Sequence, residues 1–464
     1  MRWKNFIRGG ALANYGLPLV LGLVLLWLSS GSVNPYASTY PLPIVDPTCG
    51  YLYNPDHEGF RAPFLLLDGA PAQDWIQSEN LKRLLYPFIA YPLMKLLGFE
   101  WGGFMMNLVL FVVSFAVLSQ LLTRTSGPAA ASMGRWLFAT FPGLAYWAGL
   151  PYSYACVVPF SVFALDLFTG IAYQEQRWAR TLRAAFYVGL LCLAYDLFLP
   201  IFLVALLVEA VVLRWRVWIL LSAAAVMILP TVLLNSGLLL FLKVDPLNPN
   251  TGRYFKILAA YLNPPAFSSW FLIQKDLPWI LIHNFLSCGF LFLPFVAFVV
   301  AAYLYLLGRR IRLERSKELK LAEMAIIVGL GAMFILINAA PPYIDRFQIR
   351  GPQYARLYVP LGVVIISYLS SIYQSLGQNL RLKRGVSLLC GIAVIGNCLV
   401  ITGPYYAPQI SDLVYSSFYG HGPTGTMTKN LLLFGPHPLG VCRPPPNIEG
   451  SSEFFSDGLG SVGR

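Results

Sequence analysis

The chain has 464 residues, of which 57% are hydrophobic, 15% aromatic and only 12% charged, with a net charge of +12. A soluble protein of this length carries about 25% charged residues. The deficit, and apolar runs recurring along most of the chain, exclude a soluble multi-domain enzyme and point to a bilayer. The positive charge suggests no nucleic-acid partner, because in a membrane protein the position of the charges matters more than their sum.

The first apolar segment, "YGLPLVLGLVLLWLSS", follows Arg2, Lys4 and Arg8. It reads as a first membrane-spanning helix, with cleavage of a leader after "SSGS" as the alternative. Using the ~20-residue span requirement and basic flanks, we expect about eleven spans. They are Leu17–Val33, Trp101–Leu122, Trp136–Leu150, Tyr154–Tyr173, Ala185–Tyr195, Phe198–Leu213, Val217–Leu242, His283–Leu307, Leu321–Ala340, Tyr358–Tyr373 and Val386–Thr402. The fifth and sixth meet at "YDLFLP", and form either a short pair or one helix kinked at Pro200. The choice matters, since merging them reverses the sidedness of everything downstream.

Charge favours the pair. With the N-terminus inside, the cytoplasmic pieces hold 19 of the 33 basic residues and only three acids, Glu175, Glu314 and Glu318. Short basic connections such as "GRRIRLERSKELK" and "RLKRG" are the mark of cytoplasmic loops, and need no further role. The expected architecture is an all-α polytopic membrane protein with a long first external loop. Its parts are a cytoplasmic start and first helix (1–33), the external loop (34–100), the bundle (101–402) and a Gly- and Pro-rich external tail (403–464). The second half of "FLLLDGAPAQDWIQSENLKRLLYPFIAYPLMKLLG" reads as a helix in the membrane interface, with Trp75, Tyr86 and Tyr91 at headgroup level.

Of seven cysteines, Cys156, Cys192, Cys288, Cys390 and Cys398 lie in apolar runs and read as inert core residues. Cys49 and Cys442 fall in polar stretches on the same expected side, and are a candidate disulfide in an oxidising compartment. No P-loop, HExxH or paired CxxC occurs. Four acids fall within or near the spans: Asp166, Asp196, Glu209 and Glu323. An intramembrane acid is a functional candidate by default, though the last three sit near span ends, where a wet structural role serves equally.

The external side carries the remaining chemistry. "YNPDHEGFRAPFLLLDG" holds Asp56, His57 and Glu58 in a row. Arg83 lies in the interfacial segment, and "YIDRFQIRGPQYARLYVP" adds Arg346, Arg350 and Arg356. A carboxylate takes the proton of an attacking hydroxyl. Arginines hold a phosphate through forked hydrogen bonds and balance the charge that grows as it leaves. A phosphate leaving group needs no general acid, so this set suits transfer from a polyprenyl-phosphate sugar.

The layout resembles the GT-C superfamily of integral membrane glycosyltransferases. "NLKRLLYPFIAYPLMKLLG" is similar to the "R-[IL]-L-Y-P-…-L" helix of a bacterial cell-surface glycopolymer branch, through Arg83, Leu85, Tyr86 and Pro87. "FPGLAYWAGLPYSYACVVPFSVFALDLF" and "RGPQYARLYVPLGVV" resemble that branch's third and fourth helices and its late "R-Y-…-P" segment. The resemblance implies a base in the first external loop. Relatives carry a compact "Y-D-G/E-x-x-Y" element there; the nearest stretch here is Tyr53-x-x-Asp56-His57-Glu58-Gly59-Phe60. Asp56 is then the first candidate for the base and Glu58 the second, with His57 and Tyr86 as auxiliaries. A divalent metal is permitted by Asp56, Glu58 and His57 but not required. The expected partners are a polyprenyl-phosphate sugar donor, a glycan or lipid acceptor and membrane lipids. The expected setting is a bacterial inner membrane, with the N-terminus cytoplasmic and the first loop and tail outside. A lipid or glycan flippase, or a non-catalytic subunit of the same fold, is the alternative.

Overall fold

The computed structural model describes residues 12–29, 63–70, 81, 83–148, 153–173, 178–195, 197–242, 315–338, 351–376 and 380–406. These are helical throughout, with no strand among them. In chain order the helices are α1 (Leu17–Ser29), α2 (Leu85–Leu97), α3 (Phe99–Ser126), α4 (Pro128–Ala139), α5 (Pro142–Ala148), α6 (Val157–Tyr173), α7 (Trp178–Cys192), α8 (Phe198–Val212), α9 (Val217–Leu242), α10 (Lys317–Asn338), α11 (Gly351–Ser375) and α12 (Leu380–Tyr406). A π-helical turn, Leu12–Gly16, leads into α1, and a 3₁₀ turn, Ser153–Cys156, leads into α6.

Among the described residues, three helices are long and apolar enough to cross a membrane: Trp101–Ser126 in α3, Val217–Leu238 in α9 and Leu380–Leu399 in α12. On α12, Leu388, Ile392, Ile395 and Leu399 recur at three- and four-residue spacing and are all exposed. On α9, Leu221, Leu233, Leu240 and Phe241 are exposed too. Water would not tolerate such faces, and lipid covers them. The chain is an integral membrane protein.

One end of the bundle collects the basic connections. The Ser316 amide donates to the Thr125 carbonyl at 3.3 Å, and the Ser126 and Ser371 hydroxyls bond at 3.0 Å. Arg135 is buried there. Its Nε donates to Ser119 at 2.8 Å, its Nη1 to the Asn14 carbonyl at 3.0 Å, and its guanidinium lies 3.3 Å from the centre of the Tyr15 ring. Arg124 and Asp166 pair at 2.7 Å at this end. Asp166 is therefore a partner for the end of α3 rather than an isolated intramembrane acid. Arg315 and Glu323 also pair, both buried, with Arg315 over the Tyr368 ring at 4.9 Å. The wet setting expected for Glu323 gives way to a buried ion pair.

α7 and α8 are separate helices with turn residues at 193, 194 and 197 between them, and Pro200 lies in the first turn of α8, where its missing N–H costs nothing. The Trp178 and Trp218 rings pack edge-on at 5.8 Å. α7 and α9 thus begin at the same end, and α8, which lies between them in the chain, runs the opposite way. α7 and α9 cross closely because Gly189 has no side chain; a Cβ there would strike the Met227 carbonyl. Gly329 lets α10 approach the Ile201 carbonyl of α8 in the same way. Small residues at such crossings drive helix association in lipid.

Three expectations need correction. The span expected at Trp136–Leu150 is two short helices, α4 and α5, interrupted at Thr140 and Phe141. Pro142 opens the second, since proline sits well in a first helical turn but cannot donate within a helix. α11 begins at Gly351, so Arg356 lies within a helix and not in an external loop. Tyr86 is fully buried, with its hydroxyl turned to Asn107 of α3 rather than outward to lipid headgroups. Of the cysteines read as core residues, Cys156, Cys192 and Cys390 are buried and Cys398 is half-buried; Cys288 lies outside the described residues.

Candidate functional site

Opposite the basic end, the described residues ahead of α3 (63–70, 81 and 83–98) pack on the bundle. Residues 63–67 form one helical stretch closed by Asp68 and Gly69. The Ala70 amide donates to Leu65 and the Gly69 amide to Leu66, at 2.9 and 3.1 Å. Gly69 has φ 72°, the left-handed conformation that this helix ending requires and glycine supplies. Asp68 is a turn residue, as its Asp-Gly context indicates, and it also braces α2. Its carboxylate accepts from the Tyr91 hydroxyl at 2.7 Å and from Lys95 at 2.5 Å. The Lys95 hydrogen bond, helped by Tyr91 and opposed by partial burial, holds the Asp68 carboxyl below its usual range.

α2 starts at Leu85, with Pro87 in its first turn. It then runs antiparallel to the start of α3. The Tyr86 hydroxyl donates to Asn107 Oδ1 at 2.8 Å, with the Gly103 carbonyl at 3.3 Å, and Met94 backs directly onto Gly102. A buried tyrosine needs such a partner. Asn107, buried in α3, supplies it.

These contacts place Arg83, two residues before α2. Its guanidinium lies over the Tyr195 ring at 5.4 Å. The neighbouring Leu85 amide, one of the first-turn groups without an intrahelical partner, donates to the Leu193 carbonyl at 3.4 Å. Tyr195 is 1% exposed and meets Phe198 edge-on at 5.4 Å; Phe198 stacks on Phe202 at 5.0 Å. The α7–α8 turn therefore holds Arg83 from one side while α3 holds its helix from the other. Neither Tyr195 nor Asn107 is visible as a site residue in the sequence. The aromatic and acidic "AYDLFLP" stretch is the only hint of the first.

The structure brings together Arg83, Tyr86, Asn107 and Tyr195. Asp56, His57, Glu58, Arg346, Arg350, Cys49, Cys442 and Asp196 lie outside the described residues, as does the Arg356 side chain. Among the described residues no group of His, Cys, Asp and Glu side chains is placed to hold a metal. Glu209, which the sequence puts near a span end, is instead completely buried in α8. Neither of its carboxylate oxygens has a hydrogen-bond partner among the described residues.

No family profile and no curated protein matches the chain. Among solved structures, the fold is similar to the crystal structure of ArnT from Cupriavidus metallidurans bound to undecaprenyl phosphate. The TM-score is 0.50 at 14% identity, over 91% of this chain and 85% of that one. At this identity the likeness is one of fold.

Proposed function

We propose that the chain is a membrane glycosyltransferase that moves a sugar from a polyprenyl-phosphate donor to an acceptor at the outer face of the membrane. The observation that carries this reading is Arg83. It is an arginine fixed on a buried ring at the end of the bundle away from the basic connections, in a fold like that of a protein crystallised with undecaprenyl phosphate. By the usual distribution of basic loops, that end is external and the N-terminus cytoplasmic. In a bacterial cell this is the outer leaflet of the inner membrane, and the products are cell-surface glycans or glycolipids.

In this reading Asp56, with Glu58 as second candidate, takes the proton of the acceptor hydroxyl as it attacks the anomeric carbon. The bond from that carbon to the phosphate oxygen breaks, and polyprenyl phosphate leaves unprotonated. Arg83, with Arg346, Arg350 and Arg356, balances the charge developing on it. His57 and Tyr86 are auxiliaries, Tyr86 by anchoring the helix that carries Arg83.

The test uses purified protein in detergent with a labelled polyprenyl-phosphate sugar and follows release of polyprenyl phosphate. Release that disappears in Asp56→Asn and falls at least about tenfold in Arg83→Ala supports the assignment. Full activity in both Asp56→Asn and Glu58→Gln refutes the base. Intact donors of every class tried, alongside lipid transfer across liposomes, would favour the flippase.

A further inference from the structure

We propose that Tyr195 is the positioning residue of the phosphate clamp: its ring face fixes the Arg83 guanidinium, and so the place at which a polyprenyl-phosphate headgroup is held. This rests on the reading of Arg83 as a donor-phosphate ligand.

Several ties join the 83–86 stretch to the bundle. The Tyr86 bond to Asn107 and the Leu85 bond to Leu193 fix the backbone and the helix. The Tyr195 contact acts on the guanidinium itself. The ring is a rigid support. It is 1% exposed, sits edge-on to Phe198, and is backed through Phe198 by Phe202 in the core of α8. The ring face attracts the guanidinium cation and so limits where it can sit. A guanidinium held at one place offers its forked bonds to a phosphate at one place. The α7–α8 turn brings this ring to α2 from a remote part of the chain, so donor binding and the seating of that turn become linked.

The experiment measures undecaprenyl phosphate binding to the full chain in nanodiscs of neutral lipid, as a double-mutant cycle. Tyr195→Leu should weaken binding by roughly 3- to 30-fold, the span expected for a cation over a ring. In the Arg83→Ala background the same change should do nothing further, because Tyr195 acts through Arg83. Tyr195→Phe keeps the ring and should stay within about twofold of the parent. Tyr195→3,4,5-trifluorophenylalanine keeps the shape but weakens the negative ring face. It should reproduce most of the loss without unsettling the fold. Additive losses in the cycle, or a fluorinated variant that binds like the phenylalanine one, would overturn the inference. If the parent binds no undecaprenyl phosphate, or Arg83→Ala binds as tightly as the parent, the functional reading fails first and the positioning role with it.

Discussion

Glu209→Leu should stabilise the protein. The side chain is 0% exposed on the same face of α8 as Ile201, Phe202, Ala205 and Leu206, and neither carboxylate oxygen finds a hydrogen-bond partner among the described residues. A buried polar group without a partner costs about 1–3 kcal/mol on scales drawn from protein mutants. The lower half of that range applies here, because the unfolded helix in lipid also leaves the group poorly solvated. Leucine is close to glutamate in size, so neither a cavity nor overpacking adds to the difference. The expected gain is about 1–2 kcal/mol. Reversible unfolding in mixed micelles, titrated with a denaturing detergent, measures it. Glu209→Gln is the control: an amide leaves polar atoms in the same apolar place and should gain little. A loss of more than about 1 kcal/mol in Glu209→Leu would refute the reasoning, since only a hydrogen-bonded carboxyl is missed that much. A folded Glu209→Leu protein that no longer releases polyprenyl phosphate would instead give the acid a functional role.

Two further outcomes follow from the turns. The Asp68 carboxyl titrates below its usual range because of Lys95 and Tyr91, so the brace is intact above about pH 4 and is lost as pH falls through the lower folded-state value. Lys95→Ala should return the Asp68 titration, followed by carboxyl NMR, toward the ordinary range; an unmoved titration would mean that the exposed pair is fully screened. Arg214, just past the end of α8, has φ 53° in a turn where the Trp215 amide donates to Ala210 and the Arg214 amide to Val211. Glycine is the preferred residue there, so Arg214→Gly should raise stability by about 1 kcal/mol in the same unfolding titration, and a destabilised variant would show that the arginine side chain has a role of its own.

Hydropathy reads the long, lipid-facing elements well. α9 occupies the 26 residues expected of it, Val217–Leu242, because the stretch carries no charged residue and arginines precede it. The α4–α5 region defeats the same method. A window average over "RWLFATFPGLAYW" registers only that the stretch is apolar, while the break depends on one proline. Tyr86 was misplaced for a different reason. A tyrosine in an amphipathic segment looks alike whether its hydroxyl meets water or a partner, and the partner, Asn107, is a single polar residue within the next span. The joining of Arg83 to Tyr195 depends wholly on how α2 and the α7–α8 turn pack. No local pattern announces it. The acidic stretch around Asp56 and the arginines were singled out on residue types alone, and their mutual placement is a tertiary matter that no local pattern carries.

The edge-on contact of Trp178 with Trp218 bears on orientation. Two helix starts at one end mean that the stretch between them contributes an even number to the crossing tally, whether α7 and α8 traverse the bilayer fully or dip into it. Parity is thereby insulated from the ambiguity of two 15-residue helices, each about 22 Å long and short of a ~30 Å hydrocarbon core. The hairpin is a unit that could be lengthened, shortened or lost over evolutionary time without inverting anything that follows it.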